Sequence, residues 1–419
     1  SFTMLVKVFG MAGGVFVSIF IGRVLGPDGL GVINLANKII SVMLVFSIFG
    51  TKEVLVKHVS IGYENNDWQL VGSRIFTVTV ITSLLAIVIS VLGYSYTPAV
   101  SLNFFNDPDL IVPLQIFFIA LLPQTLSRVF SSALIGFRQI WQSNLVNETL
   151  SMWFITIGLT VLYYLDIQIN LILIALIYAL GRIVVTITVY FYWKKVFNYN
   201  YRNELNIKPV IKMALPLLLV SSTSIIAANA DTIMIGWLST TKEVGLYNVA
   251  ARLAMLVSLF LQVTNAAISP KLASLFEQGK IHEMQKMVRN VTSGLFVIAL
   301  LFLVFFVVLG EQILGVWGND FVEAYTVLVI IAVGQFFNIS TGCAGLLLVM
   351  CGKEKIHSKI SVTFIFLNLI LNYALIIKFG AVGAAVATAL TISLENFSKL
   401  FFARKKVGVL SLPNLRFKS

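Results

Sequence analysis

Residues 21–38 read IGRVLGPDGLGVINLANK. A glycine-rich turn leads into an apolar run, and Lys38 lies inside that run, about two turns from its start. The apolar context extends over the whole chain. Hydrophobic residues make up 58% of the sequence and charged residues 11%, with a mean hydropathy of +0.93. A water-soluble domain of this length cannot hide so much apolar surface, so lipid is the expected solvent. Runs of ~20 apolar residues, long enough to cross ~30 Å of hydrocarbon, recur along the chain. They fall at about 2–22, 30–50, 75–96, 111–130, 145–164, 170–193, 211–237, 244–268, 290–310, 324–350, 357–377 and 381–403. The expected fold is therefore an all-α polytopic membrane protein with about twelve transmembrane helices. The first residue is Ser and no cleavable leader is visible, so the first helix is expected to act as an uncleaved start, with a short N-terminal piece outside the sequence.

The sequence pI is 9.6 and the formal net charge +12. Nucleic-acid binding does not follow, because most Lys and Arg fall in alternate loops, the pattern of the positive-inside rule. One set of segments carries Lys52, Lys57 and Arg74; Arg128 and Arg138; Lys194 to Lys212; Lys271 to Arg289; Lys353 to Lys359; and a tail with Arg404 to Lys406, Arg416 and Lys418. The opposite set holds Arg23, Lys242 and Lys378 against acids such as Asp28, Asp107, Asp166, Glu243 and Glu323. Both termini are expected to be cytoplasmic, in a bacterial cytoplasmic membrane, with the basic surface facing anionic lipid headgroups. Cys343 and Cys351 lie about two turns apart near one helix end and are not expected to form a disulfide. No His, Cys and carboxylate cluster has metal-ligand spacing, and no phosphate loop is present, so neither a metal nor a bound nucleotide is expected.

Aligned without a gap against IGWLSTTKEVGLYNVAAR at 235–252, the opening stretch pairs Gly22 with Gly236, Gly31 with Gly245, Asn34 with Asn248, Ala36 with Ala250 and Lys38 with Arg252. Further on, LIGFRQI (134–140) resembles VMCGKEKI (349–356), and the sixth and twelfth runs end in FYWKK and FARKK. One six-helix unit is duplicated, which gives lobes at 1–200 and 211–410, a linker at 201–210 and a tail at 411–419. Six is even, so both copies insert the same way and are expected to be related by a pseudo-two-fold axis along the membrane normal, around a central cavity.

GRVLGPDGLGVINLA, ALPLLLVSSTSIIAANADTIMIGWL, EVGLYNVAARLA, ISPKLASLFEQGK and FGAVGAAVATALT resemble bacterial polysaccharide flippases, the Wzx-type O-antigen and capsule flippases. These share a superfamily with lipid II flippases and multidrug and toxin extruders. The resemblance implies two six-helix bundles forming a V around a central cavity. It also implies alternating-access translocation of an undecaprenyl-pyrophosphate-linked oligosaccharide, in a pathway with glycosyltransferases and a glycan polymerase.

Ionisable groups inside spans cost about 2.5–3.5 kcal/mol each at the helix centre, so each needs a reason. Lys38 lies about 12 Å inside its run at ~1.5 Å per residue, too deep for comfortable snorkelling. Asn34, Lys38 and Ser41 share a helix face, and Arg252 shares one with Asn248. Lys38 and Arg252 are candidate headgroup cations, since an anionic pyrophosphate needs compensating charge and Arg binds phosphate oxygens in a fork. The alternative is an ion pair of either cation with Asp231. Asp231 shares a face with Ser221 and Ser224 and is a second candidate, as a proton or sodium site. Arg182 and Glu395 sit near mid-depth at near-equivalent repeat positions; they either pair with each other or Arg182 adds to the cavity charge. Lys7 and Glu148 lie closer to the cytoplasmic ends. Pro216 marks a bend or hinge in the seventh run. Residues 66–74 and 277–289 read as amphipathic segments on the membrane surface, with Trp68 as an interfacial anchor.

Three other classes compete. A multidrug extruder would use the same fold and an ion gradient, but cationic drugs call for carboxylates, whereas three mid-span cations here face two acids. A glycan polymerase or ligase would carry a large external loop with catalytic Arg or His, and the loop near 97–110 is short and has neither, so no enzyme activity is expected. A passive channel would more often be a symmetric oligomer of fewer helices.

Overall fold

A computed structural model describes residues 2–413, without the side chains of residues 2–4 and 148. Glu148, Arg416 and Lys418 of the expected charge pattern therefore lie outside the described side chains. The secondary structure is helical throughout: α1 (Phe2–Ile48), α2 (Thr51–Glu64), α3 (Trp68–Asn103), α4 (Ile111–Ile119), α5 (Leu121–Gly136), α6 (Ile140–Asn144), α7 (Leu150–Tyr164), α8 (Leu171–Val196) and α9 (Ile207–Leu238), then α10 (Thr241–Met255), α11 (Ser258–Glu277), α12 (Ile281–Gly315), α13 (Tyr325–Ser340), α14 (Ala344–Met350) and α15 (Glu354–Val407).

Among the described residues, nine helices are long and apolar enough to cross a membrane, or ten if the bent pair Pro108–Ile119 and Leu121–Gly136 is one span. Two of them hold two helices each. Gly26 in α1 (φ 69°, ψ −173°) and Gly380 in α15 (φ 54°, ψ −133°) leave the helical region, so each marks the junction of two spans. Splitting both gives the twelve expected, in a multi-pass membrane protein. The opening GPDG stretch is the first of these junctions.

The chain divides into two compact units between Ile233 and Met234, so most of α9 packs with the first six spans. In the first unit, a core at the basic end joins Leu55 and Val59 of α2, Val71 of α3, Phe130 and Ala133 of α5, Val189 and Trp193 of α8, and Val210 of α9. The second unit builds its counterpart from Leu272 of α11, Met284 and Val288 of α12, Leu347 of α14 and Ala403 of α15. Cys343 and Cys351 are buried in that core as free thiols. Burial pushes the Cys351 thiol up to about 11, so it stays protonated at neutral pH and should resist maleimide until the protein is denatured.

The segments expected to lie on the membrane surface do something else. Trp68 and Ile281 open α3 and α12, helices of 36 and 35 residues. At ~1.5 Å per residue these exceed 50 Å, so their first turns project beyond the ~30 Å of hydrocarbon as continuations of the spans. Trp68 stacks on Tyr199 with centroids 3.9 Å apart and planes 5° apart, inside an aromatic cluster with Phe137.

Gly50, between α1 and α2, has φ 67° and abuts the α9 backbone: a β-carbon there would collide with the Ala214 carbonyl and lie 2.5 Å from the Leu218 amide. This contact brackets Pro216, the bend expected in α9. Gly50→Ala is expected to cost about 2–3 kcal/mol through backbone strain and displacement of α9. A melting temperature equal to that of the parent protein would refute this.

Candidate functional site

The first unit holds a cation deep among helices. Asn34, Lys38 and Ser41 of α1 are each half-buried between buried neighbours such as Leu35, Ala36 and Ile40, so the polar stripe runs along one face. Asn37 belongs to it as well. Its Nδ2 donates to the Ile33 carbonyl at 2.9 Å, and Ser41 donates to the Asn37 carbonyl at 2.8 Å. The first of these bonds orients Asn37 Oδ1, which accepts from Arg182 Nη2 of α8 at 2.7 Å. The guanidinium carbon lies 4.5 Å from the ring centroid of the fully buried Phe117 on α4. Nη1 of Arg182 is buried and has no hydrogen-bond partner among the described residues. Thr186, one turn beyond, donates to the carbonyls of Pro123 (2.6 Å) and Arg182 (2.8 Å), tying α8 to α5. The result is an arginine held by a neutral amide and an aromatic face, with one nitrogen unused among the described residues. This arrangement can accept an anion.

Arg128, inside the run expected at 111–130, lies within α5. Asn37 is not marked by the sequence pattern, although it stands three residues after Asn34 on the same face.

On α9, Asp231 is half-buried beside buried Asn229 and Thr232. Ser221 and Ser224 donate to the carbonyls of Leu217 (2.8 Å) and Val220 (3.3 Å), so their hydroxyl protons are used by their own helix. In the second unit, Asn248 and Arg252 of α10 are half-buried between buried residues, and Asn248 donates to the Val244 carbonyl at 2.8 Å.

Glu395 is held locally. Lys399 approaches it at 2.6 Å, with side chains 12% and 22% exposed for Lys399 and Glu395, and Ser361 donates to it at 2.7 Å. The pairing of Arg182 with Glu395 expected from the repeat is thus replaced: Lys399 and Ser361 hold the acid, and Asn37 holds the arginine. A lysine one turn away on the same helix satisfies a carboxylate with little rearrangement. Further along α15, Asn368 donates to Thr391 at 3.2 Å, Asn372 to Asn368 at 3.0 Å, and Asn396 to Asn338 of α13 at 3.0 Å, forming a polar seam among buried neighbours. Among the described residues no group of three His, Cys, Asp or Glu gathers as a metal site would require.

Glu243 is a further functional-looking acid that turns out to hold the fold together. Its Oε2 accepts from Ser239 at 2.6 Å and from the Ala381 amide at 2.7 Å, so it clasps the start of the helix after Gly380.

Among the described residues, twelve spans, two compact units and buried polar groups within the helices define a multi-pass helical membrane protein. Residues 1–276 match the family described as Polysaccharide biosynthesis protein, and 216–374 match MatE. The chain belongs to the polysaccharide biosynthesis protein family. It is 29% identical over 227 residues to a probable low-salt glycan biosynthesis flippase, Agl15, of Haloferax volcanii, covering 50% of this chain and 48% of that protein. It is 27% identical over 211 residues to the capsular polysaccharide biosynthesis protein CapF of Staphylococcus aureus, covering 50% of this chain and 52% of that one. The matched stretch thus spans about half the length of these relatives. The fold is similar to that of the lipid II flippase MurJ in an inward closed conformation (TM-score 0.77, 16% identity, 96% of this chain and 87% of that one). It is also similar to a multidrug resistance MATE family transporter in an inward-facing conformation (TM-score 0.76, 12% identity, 97% and 98%).

Proposed function

We propose that this protein is a flippase that moves a lipid-linked oligosaccharide with an anionic headgroup across the membrane by alternating access. The observation that carries the reading is Arg182, a membrane-embedded cation with one buried nitrogen left without a hydrogen-bond partner among the described residues. A diphosphate supplies acceptor oxygens and charge for such a group, and the forked guanidinium suits two of them. Lys38 and Arg252 extend this role as pseudo-symmetric cations. The names of the relatives, a glycan biosynthesis flippase and a capsular polysaccharide biosynthesis protein, support the same class.

The finer reading is an undecaprenyl-pyrophosphate-linked repeat unit of O-antigen, capsule or exopolysaccharide, moved across a bacterial cytoplasmic membrane with both termini inside. Coupling to a proton or sodium gradient through Asp231 or Glu395 belongs to this reading, as do the polymerase and glycosyltransferases of the pathway. The match of 216–374 to MatE motivates a second reading, a multidrug exporter. The two differ in the charge of the substrate they need.

The test reconstitutes the protein in vesicles and measures how fast a labelled lipid-linked oligosaccharide becomes protected from externally added enzyme, with and without an ion gradient. Translocation of the glycan and none of cationic dyes is expected; the reverse would favour the exporter. Lys38→Gln and Arg252→Gln are each expected to slow translocation about tenfold, as loss of a charged hydrogen bond implies. Normal export by both variants at native protein levels removes them from the site.

A further inference from the structure

In each unit, a non-helical strap follows the sixth span and lies against the helix that contains the third. One glutamine grips each strap. In the first unit, Gln69 Oε1 accepts from the Arg202 amide at 2.8 Å, and its Nε2 donates to the Arg202 carbonyl at 3.2 Å. In the second, Gln285 Oε1 accepts from the Leu410 amide at 2.7 Å, and its Nε2 donates to the Leu410 carbonyl at 2.8 Å. A carboxamide paired both ways with one residue does what a neighbouring β-strand would do, satisfying donor and acceptor together.

The packing beside the two grips is complementary. The residue before the clamp is Tyr201 in one unit, and its ring occupies the place of a β-carbon on Gly72. In the other it is Val409, fully buried in one core with Val288. A large–small pair in one copy is replaced by two medium residues in the other, which keeps the volume roughly constant.

The first strap has further grips. Ser73 and Thr77 donate to the Glu204 carbonyl at 3.0 and 3.1 Å, and Thr77 Oγ1 accepts from the Asn206 amide at 3.1 Å. Gln69, Ser73 and Thr77 are four apart on one face of α3, while residues 202, 204 and 206 alternate along the strap. Within the strap the Glu204 amide donates to the Arg202 carbonyl at 2.9 Å, a tight turn centred on Asn203 between the first and second grips. Helix α9 begins at Ile207, directly after the last grip.

We propose that Gln69 is a positioning residue for transport: it turns the segment before α9 into a strut, so that α9 starts at a fixed height on α3. The structural half stands on the geometry above, and the functional half rests on the flippase reading. The test uses the full chain in lipid nanodiscs, with trypsin cleavage after the exposed Arg202 timed by fragment mass. Turnover is measured in vesicles with a fluorescent polyprenyl-diphosphate oligosaccharide. Gln69→Ala is expected to raise the cleavage rate about tenfold, since two ordinary hydrogen bonds are lost. Turnover should fall several-fold at an unchanged half-saturating substrate concentration. Gln69→Glu keeps the acceptor for the Arg202 amide and should restore part of both. A Gly-Ser pair inserted after Asn206 leaves the grip intact but adds slack; cleavage should stay as in the parent while turnover falls. Parental cleavage in Gln69→Ala overturns the clamp. Faster cleavage with parental turnover, or normal turnover in the insertion, overturns the positioning role. If the parent protein moves no glycan, the flippase reading and the functional half fail together, while the cleavage comparison still decides the clamp.

Discussion

Arg182→Gln is expected to lower glycan translocation about ten- to hundredfold, the range for losing one or two charge-assisted hydrogen bonds, while the protein melts at the same temperature or higher. The two halves of that result come from the same geometry. Arg182 has a neutral partner in Asn37 and an aromatic face in Phe117, and its Nη1 has no hydrogen-bond partner among the described residues. A buried cation so incompletely compensated costs stability, so a neutral side chain of similar length relieves the fold. Arg182→Lys keeps the charge but loses the fork and the flat contact with Phe117, and should fall in between. Asn37→Asp sharpens the contrast: a carboxylate at the 2.7 Å position would pair with the guanidinium, raising thermal stability and lowering transport. Parental transport by Arg182→Gln at equal abundance would end the anion-site reading. A melting temperature several degrees lower would show the residue to be structural.

Gly380→Ala is expected to destabilise the second unit by about 3 kcal/mol, from strain of order 1–3 kcal/mol and a disturbed helix cap of about 1 kcal/mol. The φ and ψ of 54° and −133° suit glycine alone, and the carboxylate of Glu243 fills the place a β-carbon would take. That carboxylate accepts from the Ala381 amide at 2.7 Å, at the positive end of the following helix, where an acid is favoured. Glu243→Ala removes the cap and the bond from Ser239 and should cost about 1–2 kcal/mol. Because alanine at position 380 collides with Glu243, the double variant should be less unstable than the sum of the two. Thermal unfolding in detergent measures all three, and a Gly380→Ala protein as stable as its parent would refute the backbone account.

Much of the architecture is legible in the residues themselves. Runs of apolar residues mark the spans because each must match the thickness of hydrocarbon, a length condition that needs no partner. GPDG at 26–29 and GAVG at 380–383 mark the junctions inside α1 and α15. The stripe of Asn34, Lys38 and Ser41 is visible because helical periodicity is local. The segments at 66–74 and 277–289 are less legible for the same reason: charge and amphipathicity near a span look alike whether the helix bends along the membrane or continues straight out of it.

The sequence by itself therefore determined the number of spans and the positions of charges that need a reason inside lipid. Hydrophobic burial is non-directional and is written in composition and period. Only the tertiary structure decided which polar groups meet: Arg182 with Asn37, Glu395 with Lys399, Glu243 with the amide after Gly380, and Gln69 and Gln285 with their straps. A hydrogen bond needs its partners within about 3 Å at a set angle. That depends on how each helix is rotated and placed against the next, which local pattern does not record.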